Sequence, residues 1–436
     1  MKIYNHLTKE KELLSDDKKE IRIYVCGPTV YNDVHLGNIR PIIVFDVLNR
    51  LLIKLRYDVK FVHNITDIDD KIINRAIEEN KSESDISEYY MNQYFLILEK
   101  LRISKNIIFP KVSQNIDNII LYVDEMIKKG YAYLVDGDVY FRTSKIKDYG
   151  SISGMIIDAL EDGSRIAQNE KKENTKDFVL WKKTDIGLKW KTNYSNGRPG
   201  WHTECAVLIK KYFNDQADIH GGGVDLKFPH HENENAQNLA INGKNIAKLW
   251  MHIGHLNVDN TKMSKSLNNF VFAKDLLAKY SANAIKWFFY QTGYSNPINF
   301  TEDLIVKMSE DLEYIIHSLN VFKSYCIINN ITFSNNFDES YLKTLTDDLS
   351  LPNTVSCIDE RIKEGNVLLR KNDFQQLSLI YTNLYILLND VLGIEIINIH
   401  TKENIEILLE WNKLKNEKKF KEADQKRQIL IEKKLI

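Results

Sequence analysis

A chain of 436 residues exceeds one ordinary core and asks for two or three domains. Its 43% hydrophobic and 27% charged residues and its formal net charge of −1 are those of a soluble globular protein, so any nucleic-acid surface must be local. No signal-type h-region opens it, no apolar run approaches the roughly 18 residues of a membrane span, and four scattered cysteines make no disulfide framework; the expectation is a cytoplasmic protein.

Residues 21–25, β-branched and aromatic, read as a buried strand ended by Gly27 and Pro28. Leu36, Ile39, Ile42, Ile43, Val47, Leu48, Leu51, Leu52 and Leu55 then recur at helical spacing, with Pro41 expected in the first turn, where it costs no hydrogen bond. This strand–loop–helix unit sets a thiol at a strand end and an imidazole, His35, at a helix mouth suited to phosphate. A second strand, 59–62, precedes Asp67, Asp69 and Asp70, which read as caps of a helix over 71–79 or as a hard-metal cluster. Residues 82–129 read as helices and 131–142 as a hairpin. The polar stretch 149–176 reads as a mobile excursion, and 177–181 as a strand. Residues 197–205 lead into a helix expected over 206–213. A strand, the triplet Gly221-Gly222-Gly223 and a helix opening His230-His231-Glu232 repeat the first unit. After a strand at 249–253 comes a polar loop, 258–269, and from Leu276 onward the pattern is helical to the end. The run 411–436 carries nine Lys/Arg against four Asp/Glu and reads as a solvated amphipathic helix or a local basic surface for a polyanion.

The fold expected is α/β: a Rossmann-type parallel-sheet catalytic domain over 1–300 with an inserted connective subdomain at about 82–196. An all-α helical bundle would follow over 301–400, then a short basic segment, 401–436. Ligands of such sheets gather at the strands' carboxyl ends. There Cys26, Cys205, His230 and Glu234 make a candidate zinc site. His230 and Glu234 stand four apart on one helical face, whereas His231 has only Asn235 at that spacing. His35 with Lys262 and Lys265 makes a second constellation, able to stabilise charge developing on transferring phosphate. Each residue taken singly also reads as ordinary core, cap or solvated loop.

Taken together the blocks resemble the class I aminoacyl-tRNA synthetases, and among them the cysteine-specific family. His35-Leu36-Gly37-Asn38 resembles the HIGH motif and Lys262-Met263-Ser264-Lys265-Ser266 matches KMSKS. Residues 26–31, 64–71, 199–205 and 221–234 match blocks of the cysteine enzymes. The resemblance is dense over about 1–310. It implies activation of L-cysteine by ATP with Mg2+, then transfer to the 3′ terminal adenosine of a cysteine tRNA with a GCA anticodon, by a monomer. It also implies zinc on Cys26, Cys205, His230 and Glu234, with the substrate thiolate as a further ligand. A pocket rejects serine in place of cysteine by only roughly a hundredfold, whereas a thiophilic ion separates sulfur from hydroxyl. By the same resemblance Cys26, Gly27, Thr29, Thr66 and Trp201 line the amino-acid pocket. Gly27, Thr29, His35, Gly37, Asn38, Gly222, Gly223, Asp225, Val258 and Lys265 meet ATP, and His35, Asn38, Lys262 and Lys265 act on the transition state. Asn38 replaces the motif's second histidine and Asn268 a glycine usual after KMSKS. Residues 420–427 match the family's C-terminal helix, and anticodon reading would fall to the basic run. Competing readings are a paralogous ligase joining cysteine to a glucosamine-inositol thiol precursor, which lacks the helical tail, and a non-catalytic tRNA-binding module.

Overall fold

The computed structural model describes residues 1–14, 20–154, 171–263, 269–334 and 336–436. It opens on an antiparallel hairpin, β1 (Lys2–Asn5) and β2 (Glu10–Leu13), which the sequence reading lacked. Four-residue strands with so few apolar side chains carry no period-2 signal. The expected unit follows as β3 (Glu20–Val25), α1 (Leu36–Lys54) and β4 (Asp58–His63), with β3 and β4 parallel. Pro41 is the sixth residue of α1, not a first-turn residue, so it removes the amide that would otherwise bond the Gly37 carbonyl. Leu55 is the C-cap rather than part of the helix.

Next come α2 (Asp70–Glu79), α3 (Glu83–Lys100) and α4 (Ile116–Lys128). The aspartates are structural. Asp69 caps α2 by accepting from the Lys71 amide, Asp67 accepts from the Ser113 amide and hydroxyl, and Asp70 pairs with Lys182 and Arg198. The hairpin β5 (Ala132–Val135) and β6 (Asp138–Phe141) turns on Asp136 and Gly137, both left-handed (φ 53° and 94°), which a two-residue turn between twisted strands demands. With β7 (Phe178–Lys183), β8 (Trp190–Lys191) and β9 (Asn196–Pro199) it makes a five-stranded antiparallel sheet inserted after β4. Of the excursion at 149–176, residues 155–170 lie outside the described residues. Its start is fastened: Gly150, Ile152 and Ser153 amides donate to the buried Glu232 carboxylate.

The helix expected at 206 begins five residues earlier, as α5 (Trp201–Phe213) capped by Gly200. This places Trp201 and Cys205 four apart on one helix face. β10 (Ala217–Gly223), α6 (Glu232–Asn242) and β11 (Ala247–Ile253) complete a parallel sheet of order β11-β10-β3-β4. Both faces are covered. Ile21, Ile23, Val25, Leu249 and Met251 pack with α1, while Tyr24, Ala217 and Trp250 pack with α5 and α6.

Beyond the sheet run β12 (Leu256–Val258), β13 (Thr261–Lys262), α7 (Ala273–Lys279) and α8 (Ala282–Tyr290). The all-helical expectation from Leu276 fails at β14 (Ile298–Phe300), a three-residue strand parallel to β12. Pairing across some forty residues holds it, and no local pattern shows that. The chain ends in helices: α9 (Glu302–Ile328), α10 (Lys343–Thr346), α11 (Leu351–Lys371), α12 (Phe374–Ile386), α13 (Lys402–Asn416) and α14 (Phe420–Glu432). The last two close a small core of their own around Leu408, Trp411, Ala423 and Leu430. Among the described residues no helix is long and apolar enough to cross a membrane.

Candidate active site and metal cluster

β3 and β10 lie side by side, and the chain leaves them in opposite directions across the sheet, to β4 and to β11. That divergence makes a crevice at their carboxyl ends. Cys26 follows β3 directly, its amide donating to the Gly221 carbonyl at 3.1 Å. The Gly27 amide donates to the Asn64 side-chain oxygen at 2.9 Å, and a Cβ on Gly27 would collide with the Asn64 carbonyl. Thr29 and Thr66 pair as a bridge, which draws the loops after β3 and β4 together. The Thr66 hydroxyl donates to buried Glu204 at 3.1 Å.

The four residues expected to hold zinc converge here from sequence positions up to 208 apart. Cys26 Sγ lies 3.8 Å from Cys205 Sγ and 3.6 Å from Glu234 Oε1, and Cys205 Sγ lies 3.7 Å from His230 Nε2. A sulfur–sulfur edge of about 3.8 Å is what Zn–S bonds of about 2.3 Å give in a tetrahedron. His230 Nε2 is 2.7 Å from Glu234 Oε1, while His230 Nδ1 faces His202 Nδ1 at 3.0 Å. Burial holds His202 neutral, its pKa down at about 3, so it can accept the His230 Nδ1 proton and turn Nε2 toward the thiols. Burial raises the Cys26 thiol. In Cys205 burial is outweighed by the Cys26 and His230 contacts, which bring its pKa down to about 7. Burial likewise opposes the Glu234 charge, but His230 and His220 hold its carboxyl well below the usual range.

A second donor set shares two of these residues: Cys26, His220, His231 and Glu234. His231 Nε2 is 3.4 Å from Cys26 Sγ, and His220 Nε2 is 2.6 Å from Glu234 Oε2. His231, set aside in sequence for want of an acidic i+4 neighbour, therefore also reaches the cluster. His220, His202 and Glu204 were missed altogether; the alternation of β10 and the turn of α5 bring them in, and only the fold reveals that. The first set fits zinc better. It offers two thiols instead of one, and it opens toward solvent through Trp201, whose ring, 39% exposed, stacks 4.1 Å from His230. His220 and His231 are wholly buried behind it.

His35 caps α1, and its backbone amide donates to the Asn38 side-chain oxygen at 3.1 Å. Burial lowers its pKa to about 4, so it is a neutral imidazole at the helix mouth; among the described residues its Nδ1 is buried without a partner, and its ring stacks on Phe270. Met263 and residues 270–273 lie beside it. The Leu36 amide donates to Val271, the Ala273 amide to Val34, and a methyl group on Gly37 would stand 3.1 Å from Met263 Cε. So Met263, in the KMSKS-like segment, lies against Gly37 of the HIGH-like one. Lys262 is exposed on β13 and shares a cavity of about 310 Å³ with Asp225 and His255. Gly222 and Gly223 close β10 above His231 and Asp225, and Val258 is buried at the end of β12. Lys265 lies outside the described residues.

This arrangement, a parallel sheet whose switch point carries a helix-mouth histidine against Phe270 and Phe272, is the fold of the class I tRNA synthetases. Solved structures agree in fold. The chain matches *Mycobacterium tuberculosis* methionyl-tRNA synthetase in complex with methionyl-adenylate at a TM-score of 0.63 and 15% identity, over 90% of this chain and 91% of that one. A putative arginyl-tRNA synthetase from *Campylobacter jejuni* matches at 0.57 and 13%, over 87% and 94%. Residues 13–310 match the family model for the class I (C) tRNA synthetase catalytic domain. Cysteine–tRNA ligases of *Malacoplasma penetrans*, *Ureaplasma parvum* and *Geobacillus* are 54%, 43% and 40% identical, over 100%, 99% and 100% of this chain and 100%, 99% and 97% of theirs. The chain belongs to the cysteine–tRNA ligase family.

Proposed function

We propose that this ligase activates L-cysteine with ATP and Mg2+ to cysteinyl-adenylate, releasing pyrophosphate. It then esterifies the 3′ terminal adenosine of a tRNA with a GCA anticodon, acting as a cytoplasmic monomer. The observation that carries the reading is the convergence of Cys26, Cys205, His230 and Glu234 between Thr66 and Trp201. These four would hold Zn2+, which, when bound, supplies a thiophilic Lewis acid that prefers a sulfur ligand to a hydroxyl. The chain's own groups do the rest. Trp201 and Thr66 wall the pocket, and Gly27 and Thr29 bring backbone amides close to it.

Gly37, in the first turn of α1, presents its backbone amide to phosphate, and Asn38, whose own backbone amide donates to the His35 carbonyl at 2.9 Å, offers its side-chain NH2. Gly222, Gly223, Asp225 and Val258 contact the nucleoside. His35, neutral, donates a hydrogen bond as charge grows on the α-phosphate, and Lys262 and Lys265 neutralise the departing pyrophosphate. No protein nucleophile is needed, since the cysteine carboxylate attacks the α-phosphate and the tRNA hydroxyl then attacks the adenylate. Helices α13 and α14 would meet the anticodon arm through basic side chains such as Lys421 and Arg427.

The test is aminoacylation of a transcribed cysteine tRNA, with a GCA or a scrambled anticodon and with serine as competitor. Charging of the GCA transcript with cysteine alone is expected. Equal charging of both transcripts would remove anticodon reading from the proposal, and charging with serine would remove the metal-based selectivity.

A further inference from the structure

The helical part holds a cavity of about 430 Å³ that the synthetase reading leaves unused, on elements contributing nothing to the metal cluster. Its walls come from α9, α12 and the segment leading into α13. Phe333, Tyr381 and Tyr385 form an aromatic side, with ring centroids 5.1 Å apart for Phe333 and Tyr381 and 5.9 Å apart for Tyr381 and Tyr385. The Lys323 ammonium lies 6.0 Å from the Tyr381 ring centroid and donates to the Asn398 side-chain oxygen at 3.0 Å. Among the described residues the Thr382 hydroxyl is buried there with no hydrogen-bond partner, in a residue only 7% exposed. An unpaired buried hydroxyl costs stability unless something meets it. By contrast His400, also lining the cavity, is satisfied by Ser324 at 2.9 Å. Among the described residues no acidic side chain lines the space.

We propose that this cavity binds a nucleotide: a planar heteroaromatic ring against the tyrosines, a polar ring edge on the Thr382 hydroxyl, and a phosphate at Lys323. Each feature selects against another class. The lysine and the absence of carboxylates disfavour cations and metal ions, and the aromatic side and the volume favour a flat ring over a bare anion. The same chemistry is offered by a free mononucleotide and by an unstacked base of RNA, for which aromatic stacking with a basic neighbour is a recurrent mode. The site stands independently of the catalytic reading.

The full chain is titrated calorimetrically with uridine, cytidine and guanosine 5′-monophosphates; the adenosine compound is left out because it is a product expected at the catalytic centre. The variants are Tyr385→Ala, Lys323→Met and Thr382→Val, the last nearly isosteric and retained if Tyr385→Ala fails to fold. Cysteine-dependent pyrophosphate exchange should be unchanged in all three. The expected result is one mononucleotide bound per chain, weakened about tenfold in Lys323→Met and Thr382→Val. If the source is RNA, tRNA affinity also falls about 5- to 100-fold in Tyr385→Ala. Mononucleotide binding without a change in tRNA affinity assigns the site to a free nucleotide, and the converse assigns it to RNA alone. No binding of any mononucleotide at millimolar concentration, with tRNA affinity equal across the variants, overturns the proposal. Because exchange is read separately, failure here and failure of the ligase reading are distinguishable.

Discussion

The Arg40 guanidinium, five residues into α1, donates to the Gly254 carbonyl at 2.6 Å and to the Gly293 carbonyl at 3.2 Å. It is 1% exposed, so these carbonyls between β11 and β12 and after α8 have no water to turn to. Arg40 therefore locks the helix that presents His35 to the strand that leads into the lysine loop. Removing it leaves buried acceptors unpaired, a loss of about 3 kcal/mol. Arg40→Met should lower the thermal midpoint by several degrees. It should also slow pyrophosphate exchange with little change in the KM for cysteine, since the cysteine pocket stands on β3, β4 and α5. An unchanged midpoint would show the contacts to be dispensable.

Cys205 sits four residues after Trp201 on α5 and supplies one of the two thiols 3.8 Å apart. Cys205→Ser keeps the shape but replaces a soft donor with a hard, weakly acidic one. The purified variant should retain less than a tenth of the wild-type zinc by metal analysis, and lose cysteine activation with it. His231→Asn, at the second donor set, should leave the zinc content near that of the wild type. If the two variants exchanged behaviour, the metal would belong to Cys26, His220, His231 and Glu234 instead.

Gly27→Ala tests how closely the loops after β3 and β4 must approach. The added methyl would meet backbone, the Asn64 carbonyl, which cannot swing aside as a side chain could. The loop must shift, and with it Cys26 and the Thr29–Thr66 bridge. Misplacing reacting groups by about 1 Å can cost on the order of a hundredfold in rate. Pyrophosphate exchange should fall by that order while far-UV circular dichroism stays as in the wild type; full activity would refute the steric argument.

What the sequence made legible was whatever repeats locally or stands on a short motif. The apolar period of α1, eight of whose nine positions fall within the helix, the β-branched run of β3 and the turn Asp136-Gly137 could each be read from neighbours alone. The four expected metal ligands were legible as a candidate set because each falls at a strand end or helix start and His230 and Glu234 stand four apart, and the family resemblance joined them; Cys26 and Glu234 lie 208 residues apart, so no linear spacing does. The failures share one cause. β14 exists because β12 offers it an edge, α5 starts early because Gly200 caps it, and His220 and His202 become ring partners of the cluster through strand pleat and helix turn. These are tertiary facts with no local period. The placement of Pro41 differs for another reason: the helix start was set by His35, and a count from that cap puts proline beyond the free amides.

Lys286 offers a pH test away from the site. It lies on α8, 1% exposed, and its ammonium donates to the Gly393 carbonyl at 2.9 Å. Burial brings its pKa down from 10.5 to about 7, with Asp46 opposing the shift and Arg50 and Arg102 adding to it. Between pH 7 and 10.5 the unfolded chain therefore holds a proton at this lysine that the folded chain has released. Stability from this group rises with pH across that window and is flat below it. The full swing is on the order of 4 kcal/mol. Lys286→Met removes both the titration and the hydrogen bond, and the hydrogen bond contributes a roughly constant offset. The urea midpoint of the variant, relative to wild type, should thus be most favourable near pH 7 and should fall steadily toward pH 9.5. A difference independent of pH would mean that Lys286 stays charged in the folded chain, with its burial offset by Asp46.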